Sequence, residues 1–369
     1  ICGAFRLFFF MHQEPSGVWI MAYTTIDDPT AYFQTVTYTG NGATGRSIVL
    51  PSDTDMQPDW VWLKSRGEAE HHQLTDSVRG VNKQLYSHLT YAEATETDRI
   101  TAFNSDGFTI QDDIIVNKNS IEFVAWCWKA GGSASSNSNG SITSSVSVST
   151  DAGFSIVSYT GTGANATVGH GLGAAPAMII QKNRIDAQPW WVYHSSIGAG
   201  GQLRLSGTDA EGSDGGVLWN STAPTSTVFS LGDNGGANGS SDACIAYCFV
   251  EKKGYSKVGG YTGNGNADGT FVYTGFKPAW IMIKATSQSG EGWFMFDNKR
   301  DVDNAVDKHL AANASTAEGS GSHGMDFVSN GIKIRNSGDG TNTSGGAYVY
   351  MAFAENPFVT STGVPTTAR

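Results

Sequence analysis

Two copies of one acid–base pair stand out in this chain: Asp76-x-x-Arg79 and Asp297-x-x-Arg300. Each follows a lysine, Lys64 or Lys284, at nearly the same interval. A carboxylate beside a guanidinium and aromatic rings can grip a sugar, because charged donors and acceptors orient hydroxyls while rings cover the apolar faces. The plainer reading is a surface ion pair or a loop-fixing contact, and residue types alone favour it. Trp190 and Trp219 are the rings offered for stacking, since neither has a counterpart elsewhere, whereas Trp191 aligns with Trp293 and reads as core. The predicted ligand-contact set is therefore Asp76, Arg79, Trp190, Trp219, Asp297 and Arg300.

Other candidate chemistry is thinner. Cys244 and Cys248 lie four residues apart on one strand face, about 13 Å at ~3.3 Å per residue, too far to bridge. Cys127 and Cys248 occupy equivalent places where a third copy has Ala352, which is how a small packing residue behaves. No further ligands accompany these thiols at metal-binding spacing, so neither a metal nor a cofactor is expected. Free thiols suit folding in a reducing cytoplasm. Gly169-His170-Gly171-Leu172-Gly173 precedes a proline turn rather than a helix and is read as a turn, not a phosphate loop. Asp339-Gly340-Thr341-Asn342 lacks the glutamate and spacing of a calcium loop and is read as an Asx-Gly turn. The acidic residues cluster in Gly/Ser/Asn loops, and no G-x-S-x-G or H-E-x-x-H occurs. The chain reads as non-enzymatic.

The elements that must position these residues come in three copies. Tyr38-Thr39-Gly40-Asn41-Gly42 recurs as Tyr159-Thr160-Gly161-Thr162-Gly163 and Tyr261-Thr262-Gly263-Asn264-Gly265. After each comes a proline (Pro58, Pro176, Pro278), then a strand-like run ending in Lys64, Lys182 or Lys284. An aromatic strand closes each unit, ending at Trp128, Phe249 and Phe353, and the interval from opening tyrosine to closing ring is nearly constant. The units are placed at 21–132, 151–254 and 255–369, the last including a C-terminal tail, with 133–150 as a Gly/Ser-rich linker. Units two and three run straight on and are expected to share an interface, while unit one is expected to hinge. His194 stands where the other units have Asp76 and Asp297, so a role shared by those aspartates is not expected in unit two.

Strand period two puts Trp60, Trp62 and Lys64 on one face and Val61 and Leu63 on the other. In the closing strand Phe123, Ala125 and Cys127 oppose Val124, Trp126 and Trp128. Such strands are either covered on both sides or expose an aromatic stripe. Asn104-Ser105-Asp106-Gly107 and Ser329-Asn330-Gly331 carry hairpin-turn signatures. Thr90-x-x-Glu93 and Ser315-x-x-Glu318 fit a capping box and predict a helical turn each. The fold class is all-β: three tandem β-sandwich or jelly-roll-like modules with one or two short helical turns.

Composition agrees. Of 369 residues, 39% are hydrophobic and only 15% charged, yet 11% are aromatic and 46 are glycine. Disordered chains lack such rings. A net charge of −11 argues against nucleic acid, and no run is long and apolar enough for membrane insertion. Ile1 to Ile20 reads unlike the rest: Arg6 and Leu7-Phe8-Phe9-Phe10-Met11 imitate a signal peptide with too short an apolar core. Met21 is read as the natural start.

Met21-Ala22-Tyr23-Thr24-Thr25-Ile26, the Tyr-Thr-Gly-Asn-Gly loops, Trp60-Val61-Trp62-Leu63-Lys64, Asp76-Ser77-Val78-Arg79-Gly80, Asn104-Ser105-Asp106-Gly107-Phe108 and Ala352-Phe353-Ala354-Glu355-Asn356-Pro357-Phe358 occur together here. In this set the chain resembles tail-fibre-like structural proteins of marine and aquatic bacteriophages, cyanophages included, over about residues 21–358. The resemblance implies a virion-associated protein, exposed on the particle and assembled in the host cytoplasm. Other virion proteins and further copies of itself are the implied partners, and the loops would contact host-surface polysaccharide. A capsid decoration or tail-assembly part and a polysaccharide-degrading tail protein are the other readings. The resemblance carries no catalytic residues.

Overall fold

The computed structural model describes residues 11–13 and 19–366. The atypical segment 1–20 falls mostly outside the described residues; Met11–Gln13 pairs antiparallel with Trp19–Met21. The protein is all-β, and its strands repeat one plan three times. In each unit an opening strand (Phe33–Thr39, Phe154–Thr160, Ser256–Thr262) pairs with the closing strand (Glu122–Trp128, Ala243–Phe249, Ala347–Pro357). The closing strand pairs with the proline strand (Trp60–Ser65, Met178–Asn183, Phe276–Ala285), which pairs with an outer strand (Gln73–Asp76, Trp191–His194, Trp293–Asp297). A smaller second sheet covers one face of each of these inner sheets. It is built by 46–49, 100–104 and 107–110 in unit one, 166–169 and 228–231 in unit two, and 271–273, 325–328 and 331–334 in unit three. The turns at 104–107 and 328–331 are hairpins, as their Asp-Gly and Asn-Gly pairs predict.

Both faces of each inner sheet are therefore covered. Val61, Leu63, Phe123, Ala125 and Cys127 pack under the small sheet of unit one. Trp60, Trp62, Val124, Trp126 and Trp128 face the other way, into a core they share with Ile156, Tyr247 and Phe249 of unit two and Val258, Trp280 and Phe353 of unit three. The rings meet across every junction. Trp60 stacks on Tyr247 at 4.3 Å, Trp128 meets Trp280 edge-on at 5.6 Å, and Phe249 meets Phe353 at 6.0 Å. Each unit touches both others, so the three sandwiches close into a ring around one aromatic core. Burying one such ring contributes roughly 1.5–3 kcal/mol, and this core is far too large to form within one unit. Unit one is not a hinged arm: its tryptophans are the centre of the molecule.

Two further expectations are corrected. Residues 133–150 are not a flexible linker, because Ser135–Asn137 and Ser144–Ser149 add two strands to the edge of unit two's sheet. Serine content hid a period-two pattern in which Val146 points inward. The capping boxes at Thr90 and Ser315 form no helix. The helical turns lie instead at Ile114–Asn117, Gly235–Asn238 and Asp339–Asn342, the last where an Asx-Gly turn was expected.

These turns explain the repeated Tyr-Thr-Gly motif. Each ends in a buried asparagine (Asn117, Asn238, Asn342) whose Oδ1 accepts the backbone N–H of Asn41, Thr162 or Asn264. Its Nδ2 donates to carbonyls on both flanking loops. The motif tyrosine donates to the carbonyl just before that asparagine: Tyr38 to Val116, Tyr159 to Ala237, Tyr261 to Thr341. At Gly40 a Cβ would run into the Lys118 carbonyl, which is why the position is glycine.

Candidate functional site

The acid–base pairs sit where the units join. Asp76 and Arg79 are fully buried, 2.5 Å apart, as are Asp297 and Arg300 at 2.6 Å. Each aspartate also caps its own turn: Asp76 Oδ1 accepts the N–H groups of Val78 and Arg79, and Asp297 Oδ1 those of Lys299 and Arg300. The other oxygen faces the next unit. Asp76 Oδ2 accepts the Tyr247 hydroxyl at 2.7 Å, and Asp297 Oδ2 accepts the Trp126 indole N–H at 3.0 Å. Both arginines extend the network outward, Arg79 through Glu93 to Arg184 of unit two, and Arg300 through Glu318 to Arg66 of unit one. Burial pulls the Arg79 guanidinium down, yet the charges of Asp76, Tyr247 and Glu93 outweigh it and hold it above its ordinary value.

The third junction keeps the geometry and loses the charge. His194 Nδ1 accepts the Ser196 N–H, as an aspartate Oδ1 would, and Nε2 donates to the Tyr350 carbonyl of unit three. The Ser196 bond requires the neutral ring, and burial holds His194 down to about 4, opposed only by the Tyr350 bond. Ile197 stands where Arg79 and Arg300 stand, and Thr286 where Arg66 and Arg184 stand. Glu211 makes the same backbone contact, to Thr286, that Glu93 makes to Arg184 and Glu318 to Arg66, but it carries no ion pair among the described residues. The turn-capping role is thus shared by all three units and the ionic role by two junctions.

Trp190 and Trp219 are corrected as stacking platforms, since both rings are at most 1% exposed. Trp219 packs in unit two's outer core, edge-on to Tyr193. Trp190 does have counterparts: the strand register sets Lys284 opposite Trp293, and the same offset sets Lys182 opposite Trp190 and Lys64 opposite His72. All three donate backwards to the preceding unit. Trp190 reaches the Tyr86 carbonyl, Trp293 the Arg204 carbonyl and His72 the Ala311 carbonyl. Trp190 rather than Trp191 is therefore the counterpart of Trp293, each standing at the same distance before the turn-capping His194 or Asp297. Asp76, Arg79, Asp297 and Arg300 likewise offer no atom to a solute.

Lys64, Lys182 and Lys284 are buried beside the shared core and donate to loop carbonyls: Ser65 and Glu68, Asn183 and Asp186, Thr208 and Glu291. Burial lowers each from its ordinary value to about 8. Cys127, Cys244 and Cys248 are free and buried, and burial pushes all three thiols up. Among the described residues no cluster of His, Cys, Asp or Glu could hold a metal ion, and no helix is long and apolar enough to cross a membrane.

An open cleft does lie on the junction between units one and three. Phe33, Ala279 and Ala354 line it, together with Thr35, Asn298 and Lys299, around 240 Å³. Residue types missed it, although Thr35 occupies a register position where the sister strands carry Ile156 and Val258.

This is a fused trio of β-sandwiches whose repeated polar residues form its internal seams. The chain belongs to the family described as a domain of unknown function (DUF7483), whose model matches residues 28–357. No curated protein and no solved structure matches it.

Proposed function

We propose that this chain is a non-enzymatic structural part of a bacteriophage particle, tail-fibre-like, and that it works as one rigid body. The likeness of its motifs to phage structural proteins suggests the setting. One observation carries the mechanical reading: the aromatic rings that recur in every unit, and the buried ion pairs at two of the three junctions, join the units to one another. A rigid body of this kind transmits force and holds its surface loops in a fixed arrangement. Copies of itself and other particle proteins are the partners in this reading. Phe271 and Tyr273, on an edge strand and 46% and 55% exposed, supply apolar surface for such contacts. The test is mass spectrometry and immunogold labelling of purified phage particles from a host that produces this chain. Stoichiometric presence on the particle is expected, and its absence from gradient-purified particles overturns the assignment.

A further inference from the structure

The ring of three sandwiches is nearly regular, so the place where it departs from regularity is informative. Thr35 is 3% exposed, and its hydroxyl has no hydrogen-bond partner among the described residues, whereas Ile156 and Val258 fill the same place with hydrocarbon inside the shared core. Asn298 follows Asp297 as Ser77 follows Asp76 and Ser195 follows His194. Its Oδ1 is buried without a partner among the described residues, as is the Ser77 hydroxyl. Lys299 comes next, and the corresponding Val78 packs against the shared core between units one and two. Thr35 is thus the polar exception in its register, and it lines the same 240 Å³ cleft as Asn298 and Lys299.

We propose that this cleft binds one ring of a neutral saccharide. An amide oxygen only accepts and an ammonium only donates, while a threonine hydroxyl does both. A solute that satisfies all three must present a donor to Asn298 Oδ1 and an acceptor to Lys299. Sugar hydroxyls do both. Glu355 lines the same cleft as Lys299, so an anion meets a carboxylate and a cation meets an ammonium, and a neutral solute meets neither penalty. Phe33, Ala279 and Ala354 supply the apolar wall on which a sugar's C–H face rests. The volume falls just short of the ~300–1,000 Å³ of pockets for drug-sized ligands, which suits a single ring. A trough of 330 Å³ adjoins it through Asn298, Lys299 and Glu355, with room for a second ring. The trough's charges are mostly balanced, by the Lys277–Glu355 and Lys308–Asp301 pairs, and so favour no strongly charged sugar.

The inference does not depend on the phage assignment, because the purified chain binds or fails to bind wherever it acts. The full chain is titrated with D-glucose, D-galactose, D-mannose and maltose and followed by amide NMR. At least one of them is expected to give saturable shifts centred on Thr35, Asn298 and Lys299, with millimolar affinity. T35V and N298S install what the sister units carry at these positions, so each is expected to fold and to weaken binding at least about tenfold. Two variants keep the result readable if one is poorly folded. No saturable shift with any of the four sugars means that the cleft holds water only, and overturns the proposal. Binding by both folded variants at the unaltered affinity overturns it equally.

Discussion

Replacing Asp297 by asparagine keeps the turn cap and the shape but sets an amide NH2 against the Trp126 N–H and leaves the buried Arg300 guanidinium with Glu318 as its remaining charge partner. Breaking a buried pair from one side typically costs about 3–5 kcal/mol, because the remaining ion has lost water and partner together. In D297N and D76N the arginine keeps a second carboxylate, Glu318 or Glu93, so each is expected to lose somewhat less, about 2–4 kcal/mol, in urea denaturation. E211Q should stay within about 0.5 kcal/mol, since that exposed carboxylate holds no ion pair. Equal small losses in all three would mean that the seams are not ionic. Histidines set the acid limit. His194 is held to about 4 in the fold against an ordinary 6.5, and burial likewise lowers His88 and His323 to about 4. Between those values the unfolded chain binds protons that the fold excludes, so stability falls as pH drops from about 6.5 toward 4. Melting temperature followed across that window should decline steadily, and H194Q should flatten the decline. A melting temperature independent of pH there would show that these rings are not held neutral. Asp-x-x-Arg was legible as a pair, and of its two plainer readings the loop-fixing contact fits while the surface ion pair does not, since both side chains of each pair are buried. Its partners were not, because Tyr247 and Trp126 lie 171 residues away from the aspartates they bond.

Among the elements, the asparagine at the end of each short helical turn does what the repeated loop cannot do alone. The Tyr-Thr-Gly-x-Gly segment has no strand partner for its outer N–H groups, and the buried amide provides one acceptor and two donors to it and its neighbours. N342A removes these bonds at once and strands the buried groups, at about 1–3 kcal/mol for each left unsatisfied. A loss of roughly 2–4 kcal/mol is expected, with new protease cleavage near Asn264, on the scale of known buried-network losses. An unchanged cleavage pattern would remove the asparagine from its role as loop anchor. The tyrosine motif was readable as a repeat because each copy must satisfy the same local bonds. The helical turns were not, since four residues with glycine and asparagine carry too little periodicity to be seen. The two capping boxes misled for a related reason. Glu93 and Glu318 follow a threonine and a serine at capping distance, yet their N–H groups and carboxylates are drawn outward to the neighbouring unit. A tertiary ion pair outweighs a local signal worth about 1 kcal/mol.

At the scale of the whole molecule, the inner face of each sheet answers only to the other two units. Trp190, Tyr247 and Phe249 of unit two are buried, and they pack in a core supplied largely by Trp60, Trp128 and Phe353 from outside that unit. Unit two nevertheless has its own outer core, built around Val168, Trp219 and Phe229, so a fragment of residues 133–254 keeps one of its two hydrophobic layers. The competition between those layers decides what the fragment does. An exposed aromatic face of this size is an association surface in water, whereas the remaining layer can hold the strands together. The fragment is therefore expected to keep β-sheet circular dichroism while self-associating and binding a hydrophobic dye, and the full chain to unfold in one transition with no dye binding beforehand. Sedimentation and calorimetry read both. A compact, monomeric, dye-silent fragment would show that the aromatic core is dispensable to the unit. Separate calorimetric transitions in the full chain would show the same from the other side. The central link is the one most exposed to failure in that experiment: between units two and three, neutral His194 replaces an ion pair, so any early partial opening should begin there.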